Sequence, residues 1–171
     1  MTIHRLERAQ LLRSNRAEVF SFFEDATNLA RLTPAFLNFT ILTKTPIPMH
    51  EGTLIDYRIQ LFGIPLRWRT EIEVYERGVR FVDRQIRGPY KLWRHTHTFA
   101  DVSGGTLMTD RVDYALGFGP LGSAAHELFV RATLKRIFDY RAEVVASLFG
   151  PSNAPEPGAR GGASLDRVPT D

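Results

Sequence analysis

The 171-residue chain contains no cysteine. That excludes a disulfide framework, a thiolate metal site and a cysteine nucleophile. Lysine is scarce, with 3 Lys against 19 Arg. Blocks of like charge are missing as well, because the arginines alternate with acids along the chain. A formal net charge of +3 therefore reads as an Arg-rich, mixed-sign surface. A phosphate-tracking stripe needs basic residues gathered on one face, so no nucleic-acid partner is expected. No apolar run reaches the roughly 18 to 20 residues of a membrane span. The opening MTIHRLERAQ is charged and lacks the apolar core of a signal peptide. No P-loop, GxGxxG, GxSxG or HExxH pattern occurs. The expectation is a soluble, cytoplasmic protein with no integral membrane segment and no cofactor.

What is present is enough apolar material, 43% of residues, for one real core. Composition shifts abruptly at Gly150, where GPSNAPEPGARGGASLDRVPTD begins. Such a Pro/Gly-rich stretch buries too little to offset its ordering entropy. Residues 1–149 are expected to form one domain and 150–171 a disordered tail.

His4 to Arg13 is a strand candidate. Asn15 is a helix N-cap candidate, with Glu18 three residues on as in a capping box. Val19, Phe20, Phe22 and Phe23 give that helix an apolar face. Thr27 is the expected cap of a second short helix, Asn28 to Leu32, stopped before Pro34. From Phe39 to Leu116 the hydrophobic period changes to two, as in Ile55, Tyr57, Ile59, Leu61 and in Leu66, Trp68, Thr70, Ile72, Val74. Turn signals at Gly52, Gly63, Gly78, Gly88-Pro89 and Gly104-Gly105 divide this region into six strands, seven with the first. Gly119-Pro120 then starts a long helix. Leu121, Ala125, Leu128, Ala132, Leu134, Ile137, Phe138, Arg141, Val145 and Leu148 recur at helical spacing. Twenty-nine residues from Pro120 to Leu148 make about 43 Å of helix. A helix that long must lie across the concave face of one twisted antiparallel sheet to bury its stripe. The expected class is α+β, a two-layer sandwich with segregated helices.

This order of elements resembles the START-like, or SRPBCC, helix-grip superfamily. That superfamily includes Bet v 1-like allergens, the polyketide cyclase/dehydrase group and the coenzyme Q-binding group. The segments GPYKLWRHTHTF (88–99), GGTLMTDRVDY (104–114) and IFDYR (137–141) are similar to bacterial SRPBCC proteins of unassigned function. The resemblance covers about residues 3–149. It implies a seven-stranded sheet wrapped around the C-terminal helix, with two short helices after strand 1. It also implies a cavity between sheet and helix for a lipid, quinone or polyketide-like molecule. Some relatives catalyse cyclisation or hydrolysis there, and many only bind.

Strand parity selects the candidate site. His95 and His97 share a face with Trp93 and Phe99. On the next strand Met108, Asp110, Val112 and Tyr114 form the apolar-biased set, and a hairpin through Gly104-Gly105 brings Asp110 near the histidines. Phe81, Asp83 and Gln85 join this face in one phase of their strand, while Val82 and Ile86 argue for the other. Trp68, Tyr90, Phe138 and Arg141 complete the candidate ligand-binding set. Arg141 lies on the helix stripe, and either snorkels to the rim or pairs inward with Asp110 or Asp83. Three readings of the histidines stay open: structural groups satisfied in place, ligand-orienting donors, or chemistry. In the last, His95 or His97 with Asp110 acts as general acid or base, without a nucleophile motif to accompany it. Two histidines at i and i+2 sit about 6.5 to 7 Å apart along a strand, which suits zinc with a third ligand such as Asp110. His-x-His alone is a weak pattern, and no metal is assigned. Phe36 is a candidate gate to the pocket. His4, His50 and His126 fall near ends or turns and read as solvated. The expected partner is one small hydrophobic ligand, with the chain a monomer or weak homo-oligomer.

Overall fold

A computed structural model describes residues 2–61, 63–117 and 129–150. Seven strands form one antiparallel sheet: β1 (His4–Leu12), β2 (Thr40–Ile41), β3 (Leu54–Leu61), β4 (Ile64–Glu76), β5 (Arg80–Arg87), β6 (Leu92–Val102) and β7 (Gly105–Ala115). Their spatial order is β1-β7-β6-β5-β4-β3-β2. Strands β2 to β7 are a meander, and β1 closes beside β7 with Leu6 opposite Val112. Between β1 and β2 lie helices α1 (Arg16–Glu24) and α2 (Leu29–Leu32), each followed or preceded by a short 3-10 turn. Helix α3 (Arg131–Phe149) crosses the concave side, packing on α2 and β1.

Local chemistry explains the boundaries. The Asn15 side chain accepts the Glu18 N–H at 2.9 Å and caps α1. Asp25, not Thr27, caps the next turn, by accepting the Thr27 N–H at 2.9 Å. A carboxylate accepts better than a hydroxyl, and it sits two residues before the expected cap. The β6–β7 hairpin turns through Ser103 and Gly104, with Val102 opposite Gly105. Gly105 has φ +146°, and a Cβ there would run into the Leu12 carbonyl oxygen. Only glycine fits this seam between β7 and β1.

The α3 stripe differs from the expected one at its edges. Leu134, Phe138, Arg141, Val145 and Phe149 are buried, whereas Leu148 is partly exposed and Ala132 faces out. The helix ends at Gly150 (φ +72°), whose N–H donates to the Ala146 carbonyl at 2.9 Å. Gly150 in turn accepts the Arg13 N–H at 3.2 Å, so it is tied to the fold and does not open the tail. The expected helix start at Gly119-Pro120, His126 and the tail from Pro151 lie outside the described residues.

Two clusters anchor the layers. Val19, Phe20 and Phe23 of α1 pack with Phe81, Phe99 and Met108 of the sheet and with Val145 and Phe149 of α3. Leu6, Val112 and Tyr114 pack with Leu134 and Phe138. Each fully buried side chain of this size contributes roughly 1.5 to 3 kcal/mol. His4 joins the second cluster, its ring centroid 5.5 Å from that of Tyr114, whereas His50 is exposed as expected. On the convex face arginines pair across strands with acids: Arg69 with Asp56, Arg84 with Glu71, Arg94 with Glu73. No helix among the described residues is long and apolar enough to cross a membrane.

Candidate functional site

The alternation of β6 sends Trp93, His95, His97 and Phe99 to the concave face. The antiparallel register then sets their neighbours: His95 lies opposite Asp83 on β5, and His97 opposite Asp110 on β7. From the other layer Arg141 of α3 reaches down. The result is a buried polar cluster inside an apolar grip.

Asp110 is its centre. Its Oδ2 accepts from Arg141 Nε at 2.9 Å, and its Oδ1 from His95 Nε2 at 3.0 Å. The same Oδ1 lies 2.8 Å from His97 Nδ1 and 3.2 Å from Arg141 Nη2. The other His97 nitrogen, Nε2, is 3.0 Å from Asp83 Oδ2. Both His97 nitrogens thus face carboxylate oxygens, which fits a doubly protonated imidazolium. Arg141 Nη2 lies 3.2 Å from His97 Nδ1. Two donors face each other there, and Asp110 Oδ1 between them holds both.

Burial is the largest single influence on His95, His97 and Asp110. It lowers the pKa of His97, yet the hydrogen bonds to Asp110 and Asp83 outweigh it and the net shift is upward. On His95 burial and the neighbouring His97 together prevail over Asp110, and the shift is downward. Burial opposes ionisation of Asp110, but Arg141 and the two histidines hold it well below the ordinary carboxylate range. Burial thus favours the neutral form of His95, while the carboxylates on either side favour the protonated form of His97. His95 stays neutral, with its proton on Nε2 toward Asp110. Its Nδ1 keeps a lone pair, 3.7 Å from Asp83 Oδ2.

Two cavities with a shared set of lining residues flank the cluster. One of about 120 Å³ is lined by Phe23, Tyr57, Thr70, Phe81, Asp83 and Trp93, with His95, His97 and Arg141. A second of about 150 Å³ is lined by Tyr57, Trp68, Tyr90, Trp93, Leu134 and Phe138, with His95 and Arg141. Leu29, Leu32, Tyr57, Trp93, His95 and Arg141 are common to both. Thr70 satisfies the aromatic polar tips, accepting from Trp68 Nε1 at 3.1 Å with the Tyr57 hydroxyl 3.2 Å away. A third cavity, about 210 Å³, lies on the β1 side of Asp110 and Arg141.

The structure therefore sorts the sequence candidates by depth. Trp68, Asp83, Tyr90, Trp93, His95, His97, Phe138 and Arg141 line the two front cavities. Asp110 does not: it stands behind the histidines and touches only the third cavity, as does Met108. Tyr114 lines none of the three and is a fully buried core residue packed on Trp93 and Tyr90. Gln85 is spent on the β5–β6 turn, donating to the Tyr90 carbonyl at 2.6 Å and accepting its N–H at 3.2 Å. Phe36, the expected gate, lines none of the three cavities: its ring is partly exposed, with the Arg136 guanidinium 4.3 Å from its centroid. Tyr57, Thr70 and Phe81 are wall residues not singled out as site residues. The inward parity of Tyr57 and Thr70 was readable, and Tyr57 indeed pairs with Trp68 in register, whereas the phase of Phe81 was not.

A seven-stranded antiparallel sheet closed around a C-terminal helix defines the helix-grip class of folds. Comparison with known proteins makes this narrower. The model of the family described as polyketide cyclase/dehydrase and lipid transport matches residues 15–139, and the chain belongs to that family. Among solved structures it is similar to the Zhui aromatase/cyclase of Streptomyces sp. R1128, with TM-score 0.67 and 13% identity over 85% of this chain and 93% of that one. It is similar to the protein TTHA0849 of Thermus thermophilus, with TM-score 0.64 and 14% identity over 84% and 98%. The ginseng major latex-like protein 151 of Panax ginseng gives TM-score 0.60 and 13% identity over 88% and 100%. At these identities the likeness is one of fold. No curated protein sequence matches.

Proposed function

We propose that this chain binds a small, largely apolar molecule of lipid, quinone or polyketide-like type between its sheet and C-terminal helix. One observation carries the reading: an aromatic-walled cavity pair with a buried polar cluster, Asp83, His95, His97 and Arg141, in its lining. Apolar walls supply affinity and a few fixed polar groups supply orientation. Neither cavity alone, at 120 and 150 Å³, reaches the roughly 300 Å³ of an ordinary ligand pocket. The two together come close to that size, so the ligand is a small one that reaches across both, with its polar group at the wall shared by His95 and Arg141.

Native mass spectrometry of the purified chain, followed by extraction and identification of any bound molecule, tests this. The expected result is an organic ligand released on denaturation and rebound by the protein. Trp93→Ala is expected to weaken rebinding at least tenfold. A ligand that rebinds Trp93→Ala and wild type equally well defeats the proposal.

A second reading is a cyclase- or hydrolase-type enzyme, and one specific observation favours it. Asp110 holds the His95 Nε2 proton, which leaves Nδ1 as a neutral base beside the cavity. With no nucleophile motif, His95 would remove or deliver a proton on a bound carbonyl compound. A turnover screen over aromatic polyketides and esters decides it. Activity lost in folded His95→Ala supports the enzyme, and no turnover on any of them leaves the binder.

A further inference from the structure

Asp83, His95 and His97 each offer one ligand atom within 4.8 Å of the other two. We propose that these three side chains form a binding site for a divalent transition-metal ion, with Asp110 as its outer carboxylate and one coordination position open to the cavity.

The spacing fits. Metal–nitrogen and metal–oxygen distances of about 2.0 to 2.1 Å in a tetrahedral site put neighbouring donor atoms about 3.3 Å apart. Asp83 Oδ2 lies 3.0 Å from His97 Nε2 and 3.7 Å from His95 Nδ1, on either side of that value. The two histidine nitrogens lie within 4.8 Å of each other, so closing the triad on an ion takes a rotation of the imidazoles toward each other by up to about 1.5 Å. The donors sit on two paired strands, β5 and β6, so the backbone fixes their relation.

The surroundings are those of a metal site. A ligating histidine ordinarily donates its second ring N–H to a carboxylate or carbonyl, which fixes tautomer and orientation. Here one carboxylate does this for both: Asp110 Oδ1 lies 3.0 Å from His95 Nε2 and 2.8 Å from His97 Nδ1. Arg141 clamps that carboxylate through Nε and Nη2, at 2.9 and 3.2 Å. The two histidines are thus turned with their remaining nitrogens toward Asp83. The sequence alone suggested Asp110 as the third ligand. The structure gives Asp110 the outer role and puts Asp83 in its place.

The charges also agree. The ion would stand between His97 Nε2 and Asp83 Oδ2, now 3.0 Å apart. With the ion in place, two carboxylates and Arg141 leave one net positive charge for a further donor. The open position faces walls of Phe23, Tyr57, Phe81 and Trp93. The donor set of two imidazoles and one carboxylate suits zinc or iron(II). An anionic or carbonyl oxygen of a molecule in the cavity fits the vacancy, and the ion would polarise it. The metal site does not depend on the identity of that molecule, or on there being one.

The test uses the full chain without a histidine tag, treated with chelator and titrated with cobalt(II) and then zinc(II). The expected result is one equivalent bound, with intense visible d–d bands that zinc(II) abolishes. Asp83→Asn and His95→Gln are each expected to weaken binding at least 100-fold, and Asp110→Asn by 10- to 100-fold. His50→Gln, on an exposed loop, is expected to change nothing. Should the site variants fail to fold, cobalt(II) in the wild-type chain gives the answer by NMR. Paramagnetic shifts are expected at Trp93, His95 and His97, with none at His50. The proposal is overturned by absence of the d–d bands, by unchanged affinity in folded Asp83→Asn, or by paramagnetic shifts centred on another histidine.

Discussion

The buried Arg141–Asp110 pair lends itself to a quantitative test of the polar cluster. Both side chains are nearly sealed, at 8% and 7% exposed, and the pair is double: Nε to Oδ2 and Nη2 to Oδ1. Removing one partner of a buried pair costs about 3 to 5 kcal/mol, because the other charge is left uncompensated. The two single variants are not equivalent here. In Arg141→Met, Asp110 keeps the His95 and His97 donors, so the loss is expected near about 3 kcal/mol. In Asp110→Leu, the Arg141 guanidinium is left facing His97 with no anion between them, and the loss is expected near about 5 kcal/mol. The double variant Asp110→Leu/Arg141→Met removes both charges, and is expected to recover at least about 2 kcal/mol relative to the sum of the singles. Urea unfolding of chelator-treated protein, followed by far-ultraviolet circular dichroism, measures all three. At a slope of about 2 kcal/mol/M, Arg141→Met moves the midpoint down by about 1.5 M. The shift should be nearly the same in about 0.1 M and about 1 M salt, because ions do not screen a sealed pair. Losses under about 1 kcal/mol for both singles, or strict additivity in the double, would refute the reasoning.

Three further predictions concern the rest of the molecule. Burial, with help from the Glu24 carboxylate at 2.7 Å, raises the Tyr75 phenol to about 12. Its stabilising effect is therefore full below the ordinary tyrosine value of 10.0 and is lost as pH climbs from there through about 12. Alkaline unfolding should be shallower in Tyr75→Phe, and identical curves would contradict this. The only two tryptophans, Trp68 and Trp93, both line the cavities, so any occupant should shift or quench intrinsic fluorescence. A bound molecule that leaves the spectrum untouched sits elsewhere. Gly105→Ala forces a Cβ toward the Leu12 carbonyl and should part β1 from β7, with a melting temperature lowered by many degrees. A wild-type melt for Gly105→Ala would mean the seam is looser than drawn.

Much of the fold was legible because its periods are clean. The β6 run of Trp93, His95, His97 and Phe99 can face only one way, and a short hairpin brings Asp110 near it; that the turn is Ser103–Gly104, one residue before the expected Gly104-Gly105, sets Asp110 opposite His97. Strand β5 was not legible, for a physical reason. The β4–β5 register shifts between Ile72 and Val74, and both Phe81 and Val82 end up buried. Alternation therefore cannot choose between them, and Asp83 stayed ambiguous. Gln85 shared the parity of Asp83 but lies just past Arg84, the last β5 residue paired to β6, so the β5–β6 turn claims its hydrogen bonds. Arg141 was placed on the buried stripe by helical spacing, yet its choice of Asp110 over Asp83 depends on where α3 crosses the sheet.

Asp110 and Asp83 show what such patterns leave out. Both are lone carboxylates on strands that flank β6, Asp110 on a clean inward face and Asp83 on a strand of ambiguous phase, and nothing in sequence ranks their depth. In the fold one lies behind the imidazoles and the other in front. Asp110, clamped by Arg141, is saturated with donors and can only orient what touches it. Asp83 has a single close donor, His97, and borders the cavity. A periodic pattern reports which face a residue takes, and carries no information on depth below that face. Depth is set by α3, whose standoff is fixed by Leu134, Phe138 and Val145 packing on the sheet. It follows that repacking those three apolar residues should alter the chemistry available to His95 without touching any polar group.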